Sequence, residues 1–240
     1  MVNSSKKENQ NIYILHTYPF KETSLIVEML TKDFGRIAVT AKGARRPKSS
    51  LRGMLLPFQP LQATWSGLQD LKSLHNIEWS DAFSMIKGDA LVCGFYLNEL
   101  IMRLVPKDDP CPKLYDFYHK TILELASNNF LSITLRRFEL KLLKELGYQV
   151  PLKNDVDGVI IESEKQYFYD AESSAFTKKI SSDHFVISGK TLIDMANDCY
   201  EDSKTEQQSK QFMRYLINHY IGDEPLHSKQ LFMFDGEKIN

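Results

Sequence analysis

The periodicity of apolar residues changes near residue 80, and this change limits the folds that the chain can adopt. Before it, apolar and β-branched residues gather in short segments bounded by Gly, Pro, Asp and Ser. Such segments are typical of strands in a small barrel or sandwich. After it, apolar residues recur every three or four positions, as in amphipathic helices. We therefore predict an α+β protein, with an N-terminal five-stranded OB-type β-barrel followed by a mainly α-helical domain that carries a small β-rich insertion.

The predicted elements are short in the first third of the chain and longer afterwards. Strands are predicted at residues 12–16, 23–31, 35–41, 57–65 and 71–77. Helices are predicted at residues 85–105, 112–126, 133–146, 189–200 and 205–220, with a hairpin at 158–161 and 166–169. The predicted domains are a disordered tail over residues 1–11, a barrel domain over 12–80 and a helical domain over 81–240, with its insertion at about 150–183.

A local cluster of positive charge lies between Gly35 and Gly53, in a chain whose net charge is -1. This basic segment has no Asp or Glu, and its cations are Arg36, Lys42, Arg45, Arg46, Lys48 and Arg52. Clustered cations neutralise a phosphate backbone and release its counterions, so the segment favours nucleic-acid binding without sequence reading. The alternative is a solvated loop whose charges only maintain solubility, and composition alone does not decide between the two.

Aromatic residues accompany the predicted strands and suggest a second kind of contact with nucleic acid. They are Tyr13, Tyr18, Phe20, Phe34, Phe58 and Trp65. Most aromatics of a barrel fill its interior, so we expect one or two of these to be exposed enough to stack on bases.

The predicted helix at residues 133–146 carries a second candidate site. Arg136 and Arg137 precede an apolar run that includes Leu140 and Leu143. One interpretation is a core helix whose arginines pair with acidic neighbours such as Glu139. The other is a basic rim above an apolar pocket, which would suit an acidic peptide that ends in a hydrophobic residue.

The sequence offers no clear site for catalysis. Its histidines do not fall into metalloprotease spacing, and no nucleophile elbow is present. The string Ser188-Gly189-Lys190-Thr191 ends like a phosphate-binding loop, but His184 stands where that loop needs glycine. We therefore predict that the protein is not an enzyme and that residues 188–191 begin a helix. A hydrolase with an acidic site at residues 155–170 is a further alternative, and a chelator would abolish its turnover.

Metal and membrane signals are weak as well. Cys93, Cys111 and Cys199 lie far apart, so no zinc site or disulfide framework is predicted, and no cofactor is expected. Asp155 and Asp157 could bind a hard cation, although two loop carboxylates are more often merely solvated. No apolar run is long enough to cross a bilayer, which predicts a cytoplasmic protein without a membrane partner.

Several short strings occur along the chain in a fixed order, among them HTYPFKETSL at residues 16–25 and LRRFEL at 135–140. The others lie at residues 35–36, 41–45, 51–53, 57–58, 60–61, 96–100, 146–148, 222, 225–226 and 228–229. Together they resemble the bacterial RecO family of recombination mediators and DNA repair proteins, over nearly the whole length from 12 to 234. Many relatives hold zinc with four cysteines after the Leu146-Gly147-Tyr148 string. This chain reads LKNDVDG there, at residues 152–158, so the zinc-free branch is the closer likeness.

The resemblance implies a function in the response to DNA damage, in the RecF pathway. It implies binding of single- and double-stranded DNA, annealing of complementary strands and, with RecR, loading of RecA onto strands coated by single-strand binding protein. It also implies that the helical domain grips the acidic, phenylalanine-ended C-terminal tail of that binding protein, with Arg136 as the matching position, and that the protein is nucleoid-associated. Whether a RecF-type loader is needed stays open. The alternative function is an OB-fold RNA-binding or translation-associated module.

Overall fold

The computed structural model describes residues 6–127, 129–177, 184–222 and 224–228. By packing, the chain forms two compact units. One contains the residues up to Asn129 together with the segment that starts at Leu226, and the other spans Phe130–Pro225. The predicted domain boundaries, which rest on sequence pattern, stay a prediction.

The first unit is built on a closed barrel of five strands. These are β1 (Lys7–Phe20), β2 (Ser24–Thr31), β3 (Gly35–Ala41), β4 (Leu61–Ser66) and β5 (Leu71–Trp79). Their order is β1-β2-β3-β5-β4, with β4 closing on β1, and only β3 and β5 pair in parallel. A four-residue helix, α1 (Leu51–Met54), connects β3 to β4. The predicted OB-type barrel is thereby confirmed.

Strand β1 begins earlier than the sequence indicates. Lys7 lies opposite Trp65, and Gln10 and Asn11 lie opposite Ala63 and Gln62. The predicted disordered tail over residues 1–11 is therefore wrong for residues 7–11, whereas residues 1–5 lie outside the described residues. Polar residues 7–11 carry little strand propensity of their own, and pairing with β4 decides their conformation.

Close packing at the turn between β2 and β3 explains why residue 35 is glycine. Gly35 has φ +67°, a left-handed conformation that side chains rarely adopt. A Cβ at this position would lie 2.1 Å from the backbone oxygen of Asp109. Only glycine fits here.

Two helices complete the first unit. Helix α2 (Asp89–Leu104) starts four residues later than predicted, because Gly88 has φ +56° immediately before it. Helix α3 (Pro112–Ala126) has the predicted bounds. Asn98 of α2 donates to the Leu15 carbonyl at 2.8 Å and accepts from the Tyr118 hydroxyl of α3 at 2.5 Å, so a buried polar link joins both helices to β1.

The segment at residues 226–228 packs back onto α2. The backbone N–H groups of His227 and Ser228 donate to the Glu99 carboxylate, each at 2.8 Å, and Leu226 is buried. This segment is thereby attached to the first unit, and residues 229–240 lie outside the described residues.

The second unit packs helices against a small sheet. Its helices are α4 (Leu131–Glu145), α5 (Gly189–Ala196) and α6 (Ser203–Ile221), and its strands are β6 (Gln166–Asp170), β7 (Ala175–Thr177) and β8 (Phe185–Ser188). The strand order is β7-β6-β8, and both pairs are antiparallel. Aromatic rings dominate its core, with Tyr169, Phe176 and Phe212 in mutual contact.

Two local predictions in this unit have different outcomes. The hairpin between residues 158–161 and 166–169 is wrong, because β6 pairs with β7 and β8, while Ile160 makes only an isolated bridge to Asn154. The helix start at residue 188 is confirmed, since the Ser188 side chain accepts from the Thr191 N–H as an N-cap. Asp198, with φ +59°, lies just after the end of α5.

None of the helices in the described ranges has the length and apolar character that crossing a membrane requires.

Candidate nucleic-acid interface

The chain between β3 and α1 forms a compact loop. Its backbone is held at several points: the Arg45 N–H donates to the Thr23 carbonyl at 2.9 Å, and the Arg46 N–H donates to the Gly43 carbonyl at 3.1 Å. Gly43 supplies the left-handed conformation of the first turn, with φ +71°. Ala44 is fully buried in the barrel core. The loop is therefore anchored to the barrel and ordered by its own hydrogen bonds.

The cationic side chains of this loop project into solvent. The exposed set, called here the basic loop, consists of four cations of this loop and one of the adjoining α1: Lys42, Arg45, Arg46, Lys48 and Arg52. Arg45 donates to the Lys21 carbonyl at 3.2 Å, so its guanidinium lies beside the turn between β1 and β2. In the described ranges, none of the five has a carboxylate within ion-pair distance. Their charge is not cancelled by acidic neighbours there.

Arg36, the sixth predicted cation, is placed differently. Its guanidinium pairs with Glu28 at 3.1 Å and donates to the Val105 carbonyl at 3.0 Å, which leaves the side chain 12% exposed. Lys107 also pairs with Glu28, at 3.1 Å. The prediction of a phosphate contact at Arg36 is corrected to a structural ion pair, because the adjacent strand supplies a buried carboxylate that the segment itself lacks.

The six predicted aromatics differ in exposure. Tyr13, Phe58 and Trp65 are buried, and Phe34 packs edge-on against Trp65 with 5.6 Å between ring centroids. Tyr18 is 42% exposed and Phe20 is half-buried. Strand alternation alone does not identify the exposed pair, because a bulge between Ile14 and His16 shifts the phase of β1.

The second predicted site is less accessible than expected. Arg136 is buried, pairs with the buried Glu139 at 2.6 Å and donates to the Lys210 carbonyl at 3.2 Å. Arg137 is half-exposed and forms hydrogen bonds of 2.7 and 3.0 Å to both oxygens of Asp198. Leu143 is buried in the core and Leu140 is partly buried against it. This placement corresponds to the core-helix interpretation for Arg136.

Helix α6 adds two cations that the sequence analysis did not single out. Lys210 and Arg214 lie one turn apart, and burial together with the charges of Arg214 and Arg136 lowers the pKa of Lys210. Burial is the main cause of the lowered pKa, and the neighbouring guanidinium charges add to it. The only sequence signal for this cluster is the four-residue spacing of two cations in an amphipathic helix.

The acidic loop of the second unit does not form a metal site in the described chain. Asp155 is buried, and its Oδ1 accepts from the N–H groups of Asp157 at 3.0 Å and Val159 at 2.9 Å. Its carboxylate orders the turn, as aspartates commonly do. Across the described ranges, no three His, Cys, Asp or Glu side chains come together in a metal-binding group.

Comparison with known proteins covers nearly the whole chain. The family model for the recombination protein O N terminus matches residues 6–83, and that for the recombination protein O C terminus matches residues 87–230. The chain is 44% identical over 233 residues to the DNA repair protein RecO of Nitrosospira multiformis, covering 96% of each protein. It is 43% identical over 229 residues to that of an Azoarcus species, covering 93% and 94%.

Proposed function

Because the chain belongs to the RecO family of DNA repair proteins, we propose that it is a recombination mediator that binds single- and double-stranded DNA and anneals complementary strands. Together with RecR, it helps to load RecA onto single-stranded DNA coated by single-strand binding protein. The protein makes and breaks no covalent bonds in this function.

The observation that supports DNA binding most directly is the basic loop. Five exposed cations lie in or next to one ordered loop on an OB-type barrel, and none of them pairs with a carboxylate in the described ranges. Such side chains neutralise phosphates without contacting base edges, so binding does not depend on sequence. An annealing factor needs this property, because it must accept any pair of complementary strands.

Charge neutralisation also explains how annealing is accelerated without hydrolysis. Two strands repel each other, and a surface that lowers the charge of both raises their encounter rate. Base pairing then supplies the free energy. The basic loop provides the surface, and the duplex leaves it when the phosphate contacts exchange with salt ions.

We propose that the second unit recognises the single-strand binding protein through the surface around α4 and α6. Lys210 and Arg214 of α6 offer positive charge to an acidic tail, and Arg136 of α4 holds the Lys210 backbone by donating to its carbonyl. Arg136→Ala is a poor test of this site, because it removes the cation from the buried Glu139 carboxylate and so destabilises the fold. Lys210→Ala/Arg214→Ala removes the outer charge instead.

The decisive experiment measures annealing of complementary oligonucleotides precoated with single-strand binding protein, with and without this chain. We expect acceleration by the wild type, and a smaller acceleration by Lys210→Ala/Arg214→Ala on coated strands only. A binding protein that lacks its C-terminal tail is the matched control, since it should remove the difference between wild type and variant. Equal rates with and without the chain would refute the proposal.

An RNA-binding function would use a similar barrel and loop, so the same study must include RNA. Competition between DNA and RNA oligonucleotides of one sequence separates the two. A strong preference for RNA, through contacts with the 2′-hydroxyl, would replace DNA repair by RNA binding as the function of this surface.

A further inference from the structure

The outward face of β1 carries a row of aromatic side chains next to the basic loop. After the bulge between Ile14 and His16, Thr17 lies opposite the core residue Val27, so His16, Tyr18 and Phe20 alternate onto the outer surface. His16 and Tyr18 are exposed and Phe20 is half-buried. The barrel interior is filled without them.

The rings in this row are close enough to act together. The His16 and Tyr18 ring centroids are 4.4 Å apart, with an angle of 59° between the ring planes. The Lys21 ammonium lies 5.3 Å from the centroid of the Phe20 ring. A row of rings along a strand gives a line of apolar faces, which matches an extended polymer better than a compact ligand.

Charged groups lie beside the middle of the row and beside its Phe20 end, and at Tyr18 the cations Arg36 and Lys107 both pair with Glu28. Around the Tyr18 hydroxyl, the charged groups are Glu28 and three cations, Arg36, Arg103 and Lys107. At the Phe20 end, the Arg45 guanidinium binds the carbonyl of Lys21. The aromatic row therefore ends beside the basic loop, and this end of the face is complementary to an anionic chain with stacking groups.

We propose that His16, Tyr18 and Phe20 form a base-stacking platform for single-stranded DNA, with Lys21 and the basic loop holding the adjoining phosphates. This inference rests on the proposed DNA-binding function and assigns the residues that contact bases. Stacking tolerates any sequence, because every base has a π face. A duplex offers no such faces along its length, so the platform favours single strands.

The test removes bases and rings separately. Affinity is measured for a single-stranded oligonucleotide and for an abasic strand of equal length and charge, with wild type, Tyr18→Ala and Tyr18→Phe. For Tyr18→Ala we expect about a tenfold loss on the intact strand and almost no loss on the abasic one. Tyr18→Phe keeps the ring and should bind like the wild type.

Tyr148→Ala is the matched control. Tyr148 is 45% exposed and stacks on Tyr220 at 4.2 Å, so it resembles Tyr18 in exposure and in having one ring neighbour, but it belongs to the other compact unit. We expect this variant to bind both strands normally. Thermal unfolding of each variant shows whether the fold is retained.

The possible outcomes test the base-stacking platform and the proposed DNA-binding function separately. If the wild type binds the intact strand and Tyr18→Ala binds it equally well, the platform is refuted while DNA binding stands. Equal losses on intact and abasic strands would also refute stacking, because the ring would then act without bases. A wild type that binds neither strand would refute the proposed function itself.

Discussion

Removal of two cations from the basic loop should change the salt dependence of DNA binding by a predictable amount. Each phosphate contact on a single strand contributes about -0.7 to the slope of log affinity against log salt. If all five exposed cations of the loop contact phosphates, the expected slope is about -3.5. Arg45→Ala/Arg46→Ala leaves three contacts and a slope of about -2.1.

The difference is large enough to measure with ordinary titrations. Between roughly 50 and 200 mM salt, the wild type should lose affinity about 130-fold and the double variant only about 20-fold. Fluorescence anisotropy of a labelled single strand at five or six salt concentrations gives both slopes. Neither arginine supports the core, since both side chains are exposed, so the variant should unfold at the wild-type temperature.

A matched variant distinguishes phosphate contacts from a change in overall charge. Lys113→Ala/Lys120→Ala removes the same charge from two exposed positions on α3. We expect its slope to equal that of the wild type. An unchanged slope in Arg45→Ala/Arg46→Ala, or an equal decrease in both double variants, would refute the assignment of the basic loop as the phosphate-binding surface.

Three further predictions concern residues that support the site. Gly35→Ala should destabilise the protein by about 3 kcal/mol or more in chemical denaturation, because the new side chain would combine a left-handed φ with a clash against the Asp109 backbone. Gly53→Ala is the control and should be nearly neutral, because a Cβ there meets no atom within 4 Å. A larger loss of stability in Gly53→Ala than in Gly35→Ala would contradict the packing argument. Arg36→Ala should lower the free energy of unfolding by about 2–3 kcal/mol, because the buried Glu28 carboxylate then pairs only with Lys107. The salt dependence of DNA binding should stay at the wild-type value, and a flatter slope would show that Arg36 contacts phosphate. Burial opposes ionisation of Glu99, but hydrogen bonds from Ser228 and His227 outweigh this effect and lower the pKa of Glu99 from 4.5. The ionised carboxylate therefore stabilises the fold above pH 4.5, and this stabilisation is lost as the pH falls through the lowered pKa. Glu99→Gln should therefore cost about 1 kcal/mol at pH 7 and progressively less as the pH falls below 4.5. A difference in stability that does not narrow in acid would contradict this role.

Local sequence signals located most of the elements correctly. Helix α3 has its predicted bounds, because Pro112 opens it and apolar residues repeat on one face. Ser188 caps α5 as predicted, because an N-cap depends on a single side chain and the next few residues. The five barrel strands follow from short β-branched runs between turns. By contrast, residues 7–11 form strand only because β4 lies beside them.

The order of the five barrel strands and of helices α2 to α6 along the chain, and the concentration of cations after β3, follow from the sequence because they depend on residues that are near one another in the chain. Which of these charges face solvent depends on contacts between segments that are far apart in the chain. Arg36 and Arg136 carry the same charge as Arg45, yet each meets a buried carboxylate and a backbone carbonyl and is withdrawn from the surface. A guanidinium is stabilised by whatever acceptors surround it in space, and folding brings those acceptors from positions that its own segment does not contain.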